Sequence, residues 1–291
     1  MKPNSYLRHC GEFELVLRQR GKGIPFVWGH SLMGSMRTED GAALWDWEQI
    51  EEIAKVIRYD ARGHGNSDGS YEPEDYRWPH LASDMLAIGR DAVADSDWRR
   101  CVLGGISMGA ATALEAAAQR PDEVAGMVLV IPPTAWATRP RQATIYRRLS
   151  WVSGLLGSAP YRLLDLLPVP VREDGRSRLG LSTARGLALA NPRQVRAALR
   201  GAALSDMPDP DVLANIDVPT LILAWENDAG HPVSSAEKLA NCLPDVRKLV
   251  ISHPDDLSEW LPAILDFLLQ VAAEEKKRQR GRRGAQRRAR R

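Results

Sequence analysis

The run Gly105-Ile106-Ser107-Met108-Gly109 holds a serine between two glycines at a spacing that suits nucleophilic chemistry. Residues 101–106 before it are apolar and strand-like, and residues 110–119 after it are rich in Ala and Leu and helix-like. A chain passing from strand to helix at one residue must turn sharply. Glycines two residues before and after the serine remove side chains that would clash there. The serine is then held strained beside a helix N-terminus, whose free N–H groups favour developing negative charge. Such a hydroxyl can attack a carbonyl once a general base takes its proton.

Six histidines are available as that base: His9, His30, His64, His80, His231 and His253. In the serine enzymes whose strand-turn-helix elbow this run resembles, the acid follows the nucleophile and the base comes last, which leaves His231 and His253. His253 is preferred, because it follows the strand-like run 246–251 on a loop that can swing over the sheet's edge. His231 shares the loop of the best acid. That acid is Asp228, just past the apolar run 220–225 and 25 residues before His253, enough for one helix and one strand to return to the same edge. Glu226 competes, being nearer the strand end, but the turn must first clear the sheet. The acid would fix the histidine tautomer and stabilise the imidazolium. Two backbone donors for an oxyanion are expected, the N–H of Met108 and that of Leu32 in the loop Gly29-His30-Ser31-Leu32-Met33-Gly34-Ser35.

The elements that must position these groups read as an α/β sheet protein. Residue 13–17 alternation marks an early strand, and short apolar runs at 24–28, 56–59, 101–106, 124–131, 220–225 and 246–251 suit strands buried on both faces. Helical stretches at 81–93, 110–119, 234–241 and 258–273 separate several of them. Residues 133–207 break the alternation, with helical pieces at 144–156 and 194–204 punctuated by Pro160, Pro168, Pro170 and Pro192. The expected division is a core of residues 1–132 and 208–273, an inserted helical lid of residues 133–207, and a basic, disordered tail of residues 274–291.

Composition narrows the setting. No apolar run approaches the roughly 20 residues of a membrane span, and the N-terminus shows no signal-peptide pattern. Three widely spaced cysteines, Cys10, Cys101 and Cys242, form neither a disulfide framework nor a metal-ligand pattern, so a cytoplasmic protein without a metal is expected. The net charge of +2 conceals an asymmetry: residues 276–291 hold ten Lys or Arg and no acid, leaving 29 basic against 37 acidic residues before them. A polybasic tail of this kind can contact an anionic surface, and its lack of aromatics argues against single-stranded nucleic acid.

Along residues 12–273 the chain resembles the serine-type α/β-hydrolases. The resemblance is carried by His30 to Ser35, the run Tyr59-Asp60-Ala61-Arg62-Gly63-His64-Gly65-Asn66-Ser67, the elbow Gly105 to Gly109, Trp225 to Asp228, and Ser252-His253. It implies an α/β-hydrolase fold, and it makes the Asp60 to Ser67 run a structural turn, so that His64 is not the base. The elbow and the inserted lid are most similar to those of 3-oxoadipate enol-lactonases and related carboxylesterases. Cleavage of a small ester or lactone through an acyl-enzyme follows as the expected activity, with Ser107, His253 and Asp228 as the triad and no cofactor. The same triad also serves C–C bond hydrolysis and acyl transfer, and the fold occurs in ligand-binding proteins with little turnover.

Overall fold

A computed structural model describes residues 4–157, 159, 163, 175–252 and 254–289. Its apolar, β-branched runs line up as an eight-stranded sheet in the order β1-β2-β4-β3-β5-β6-β7-β8. The strands are β1 (Asn4–Cys10), β2 (Phe13–Arg20), β3 (Ile24–Gly29), β4 (Ala54–Tyr59), β5 (Cys101–Ile106), β6 (Val124–Val130), β7 (Thr220–Trp225) and β8 (Val246–Ile251). Strand β2 runs antiparallel to β1 and β4, and every other pairing is parallel. From β3 to β7 all strand residues are buried, as expected of continuous apolar runs in a sheet covered on both sides. The edge strand β1 went unread in the sequence because Asn4 to Cys10 is polar and mostly exposed; its hairpin with β2 holds it.

One face of the sheet is covered by α3 (Trp78–Ala94), α4 (Met108–Gln119) and, further along, α9 (Val233–Cys242). The other face packs on α2 (Trp47–Ile53) and α10 (Trp260–Ala289) through Ile50, Trp260, Ile264 and Phe267. Between β3 and β4 the chain also forms the short α1 (Met36–Ala42), opened by a reciprocal cap in which Ser35 Oγ accepts from the Thr38 N–H and Thr38 Oγ1 accepts from the Ser35 N–H.

Between β6 and β7 the described elements are helices: α5 (Arg139–Leu156), α6 (Gly175–Leu189), α7 (Pro192–Leu204) and the single turn α8 (Pro210–Leu213). Helix α5 packs along α7. Buried Arg139 fastens this segment to the body, donating to the carbonyls of Ser205 and Ala202 while its guanidinium lies 4.4 Å over the Trp78 ring. The expected division at residue 274 differs from what is seen, because α10 continues through Ala289. A helix already anchored by Trp260 to Val271 needs no new nucleus to go on, and Lys, Arg, Gln and Ala propagate it well. Arg100 with Glu275 and Lys276 over the Trp98 ring tie its continuation to the body. Among the described residues no helix is long and apolar enough to cross a membrane.

The sheet brings β3 and β5 together so closely at Gly29, Gly105 and Gly109 that a side chain on Gly109 would run into the Gly29 carbonyl. Gly109→Ala is therefore expected to destabilise the protein by about 1–3 kcal/mol, read as a lowered midpoint of urea unfolding.

Candidate active site

The turn after β5 has the predicted form. Ser107 sits at φ 54°, ψ −108°, between the last residue of β5 and the first of α4. Its N–H donates to Val130 O at 2.9 Å, and the Gly109 N–H donates to His30 O at 3.1 Å. These bonds fix the elbow to β6 on one side and to the loop after β3 on the other. Only 5% of Ser107 is exposed.

Ser107 Oγ lies 2.7 Å from Nε2 of His231. The other ring nitrogen of His231, Nδ1, is 2.9 Å from Asp228 Oδ2. A donor at Nδ1 leaves Nε2 as the acceptor facing the serine. Asp228 accepts three further hydrogen bonds: from Trp225 Nε1 at 2.9 Å, from the Gly230 N–H at 2.8 Å and from the His231 N–H at 3.1 Å. Partial burial pushes its carboxyl up, but the bonds from His231, Trp225 and Gly230 outweigh this and hold it well below the usual carboxylate range. The carboxylate is thus ionised at neutral pH.

Sequence reasoning ranked His253 ahead of His231, and the geometry differs. The ring against the serine is that of His231, whereas His253 lies outside the described residues. The physical reason is the tight turn Asp228-Ala229-Gly230-His231. Oδ1 of Asp228 accepts from the backbone N–H groups of residues 230 and 231, which curls the chain so that the His231 ring folds back onto Oδ2. A spacing of three residues was legible in the sequence, but it was read as a shared loop and not as a turn closed by the acid itself. Glu226 is exposed and only its backbone N–H is engaged, with Ile251 O at 3.0 Å.

The expected oxyanion donors stand on either side of the same junction. Met108 is the first residue of α4, where an N–H has no partner within the helix. The loop after β3 turns at Met33, φ 60°, and closes with a 2.8 Å bond from the Gly34 N–H to Ser31 O. Leu32 lies inside that turn. Its frame is His30, whose Nδ1 donates to Ser31 O at 2.7 Å and whose Nε2 accepts from the Ala61 N–H at 2.9 Å. Complete burial drives its pKa down to about 4, so the ring is a neutral strut. The Ser31 hydroxyl in this closed loop is buried with no partner among the described residues.

Asp60 to Ser67 forms a structural knot beside the site. Asp60 accepts from the Met36 and Asn66 N–H groups, and Arg62 makes a two-pronged pair with Asp84. His64 is pushed down to about 3 by burial and is bound to Arg62 O. Between this knot, the Leu32 loop and α6 lies a cavity of about 250 Å³ lined by Met33, Ser35, His64, Gly186 and Leu189 among others. A Cβ on Gly186 would strike the Met33 carbonyl, so the glycine lets α6 lie directly on the oxyanion loop.

A parallel sheet with a strained serine between β5 and α4 defines the α/β-hydrolase fold. Residues 51–254 match the family described as serine aminopeptidase S33 (Hydrolase_4), and the chain belongs to that family. It is 31% identical, over 53% of its own length and 70% of the relative's, to a pimeloyl-[acyl-carrier protein] methyl ester esterase of Aromatoleum aromaticum. Among solved structures it is similar to a thermophilic esterase from Thermogutta terrifontis, with a TM-score of 0.72 at 22% identity over 92% of this chain and 99% of that one. The enol-lactonase from Burkholderia xenovorans is similar at a TM-score of 0.70 and 19% identity, over 92% of this chain and all of that one. These two likenesses bear on the fold.

Asp228→Asn can place an amide N–H at the atom that now accepts from Trp225 Nε1 and His231 Nδ1, which gives up the Trp225 bond and favours the wrong His231 tautomer. Covalent labelling of Ser107 by a fluorophosphonate is expected to slow on the order of 10³–10⁴-fold in that variant, measured as the labelling rate at neutral pH.

Proposed function

We propose that the chain hydrolyses small, partly apolar esters or lactones through an acyl-enzyme on Ser107. The observation that carries this reading is the continuous hydrogen-bonded line from Ser107 through His231 to Asp228. In the first step Ser107 Oγ attacks the carbonyl carbon and His231 takes its proton. The N–H groups of Met108 and Leu32 hold the oxyanion, and His231 returns the proton to the departing alkoxide. Water then enters, gives a proton to His231 and attacks the acyl carbon; the bond to Ser107 Oγ breaks, His231 returns the proton to that oxygen, and the acid leaves. Asp228 stays ionised throughout and stabilises the imidazolium.

The helical segment between β6 and β7 is the proposed lid, supported by the contact of α6 with the Leu32 loop. Within that segment substrate choice is assigned to α6, since the cavity beside the loop takes Gly186 and Leu189 as one wall. A cytoplasmic setting is supported by Cys10, Cys101 and Cys242, each unpaired.

Release of p-nitrophenol from p-nitrophenyl acetate and butyrate tests the reading. Ser107→Ala is expected to lose turnover entirely; full activity in that variant would end the proposal. His231→Ala is expected to cost at least about 10³-fold, with His253→Ala much milder. The reverse order would transfer the base to His253 while leaving Ser107 as nucleophile.

A further inference from the structure

The proposed lid carries a charge and an apolar surface that the hydrolytic reading does not use. Helices α5, α6 and α7 together hold ten arginines and no acidic residue. Arg139 is buried, but Arg141, Arg147 and Arg148 on α5 are exposed and make no salt bridge among the described residues. Interleaved with them are large apolar side chains that face solvent. Trp151 and Leu155 are each 66% exposed, and Ile145, Leu149 and Leu156 are exposed on the same helix.

The two sets share one side of α5. Helical spacing puts positions 141, 145, 148, 149, 155 and 156 on a common face, with Trp151 at its border. The opposite face supplies the buried residues Arg139, Ala143, Ser150 and Ser153, by which α5 packs on the body and α7. Ordinary surface helices bury their apolar stripe and expose their charges. Here the exposed side is both apolar and cationic.

We propose that this face of α5 docks on an anionic lipid surface. Leucines, an isoleucine and a tryptophan would enter the boundary between headgroups and acyl chains, and Arg141 and Arg148 would meet the phosphates. Charge complementarity selects anionic over neutral lipid. The exposed apolar side chains favour a bilayer over an acidic protein, for which the arginines alone would suffice. Docking of this kind would place the lid at the source of apolar esters, yet it does not depend on which bond Ser107 cleaves, and it is measured without turnover.

Co-sedimentation of the full chain with vesicles tests it. Binding is expected to phosphatidylglycerol–phosphatidylcholine vesicles at low salt and to be lost in high salt. It should be at least about tenfold weaker to phosphatidylcholine alone. The doubly substituted chains Arg141→Glu/Arg148→Glu and Trp151→Ser/Leu155→Ser should each lose most of the binding, while hydrolysis of soluble p-nitrophenyl acetate stays at the level of the unsubstituted protein. Absence of binding to the anionic vesicles overturns the proposal. So does binding that survives both double substitutions, which would put the contact elsewhere, as on the basic end of α10. Equally strong binding to soluble polyglutamate, insensitive to Trp151→Ser/Leu155→Ser, would assign the face to an acidic polypeptide and also overturn it.

Discussion

Where β5 becomes α4, the backbones of Gly29, Gly105 and Gly109 pass with no side chain between them, and Ser107 is left at a positive φ on top of the junction. A non-glycine residue in such a conformation costs on the order of 1–3 kcal/mol and persists only where its surroundings over-determine it. Here they do. Hydrogen bonds from the Ser107 and Gly109 N–H groups reach β6 and the loop after β3. The parallel pairing of β3, β5 and β6 therefore sets the position of the hydroxyl. Because the Leu32 loop leaves β3 at the same level, the proposed oxyanion donors and the proposed nucleophile are delivered by one constraint.

Histidine is used in two opposite ways around this junction. His30 and His64 are removed from water, neutral over the whole range in which the protein would work, and spent on joining backbone segments. His231 keeps a fifth of its side chain exposed and spans a hydroxyl and a carboxylate. What separates the roles is the neighbourhood of each ring, since nothing in the side chain itself does. Asp228 is held as an anion by four hydrogen bonds, so the negative charge of the site is concentrated beside the His231 imidazole that faces Ser107.

The body and the segment above it follow different rules. In the body, apolar residues fill two cores, one on each side of the sheet, and buried charges such as Arg62 and Asp84 are paired. On α5 the apolar side chains are turned outward among exposed arginines. Buried Arg139, satisfied by carbonyls and stacked on Trp78, marks where one regime passes into the other.

Much of this was written locally in the chain. Continuous apolar runs announced the inner strands, and the glycine spacing around Ser107 announced the elbow. Asp228 stood at the end of β7, and the Asp60 to Ser67 turn was recognisable because each of its residues has a local duty. Edge strand β1, capped α1 and the continuation of α10 were not legible, since a hairpin partner, a reciprocal cap and a docked helix stabilise them rather than an apolar periodicity of their own. The choice between His231 and His253 belongs to the same kind. Both follow the acid in the chain, and either could be brought to the sheet's edge by its loop. Only the folded turn at Asp228, in which a carboxylate binds two backbone N–H groups and an imidazole at once, puts one of those rings 2.7 Å from the serine, because such a contact depends on three-dimensional closure and not on order along the chain.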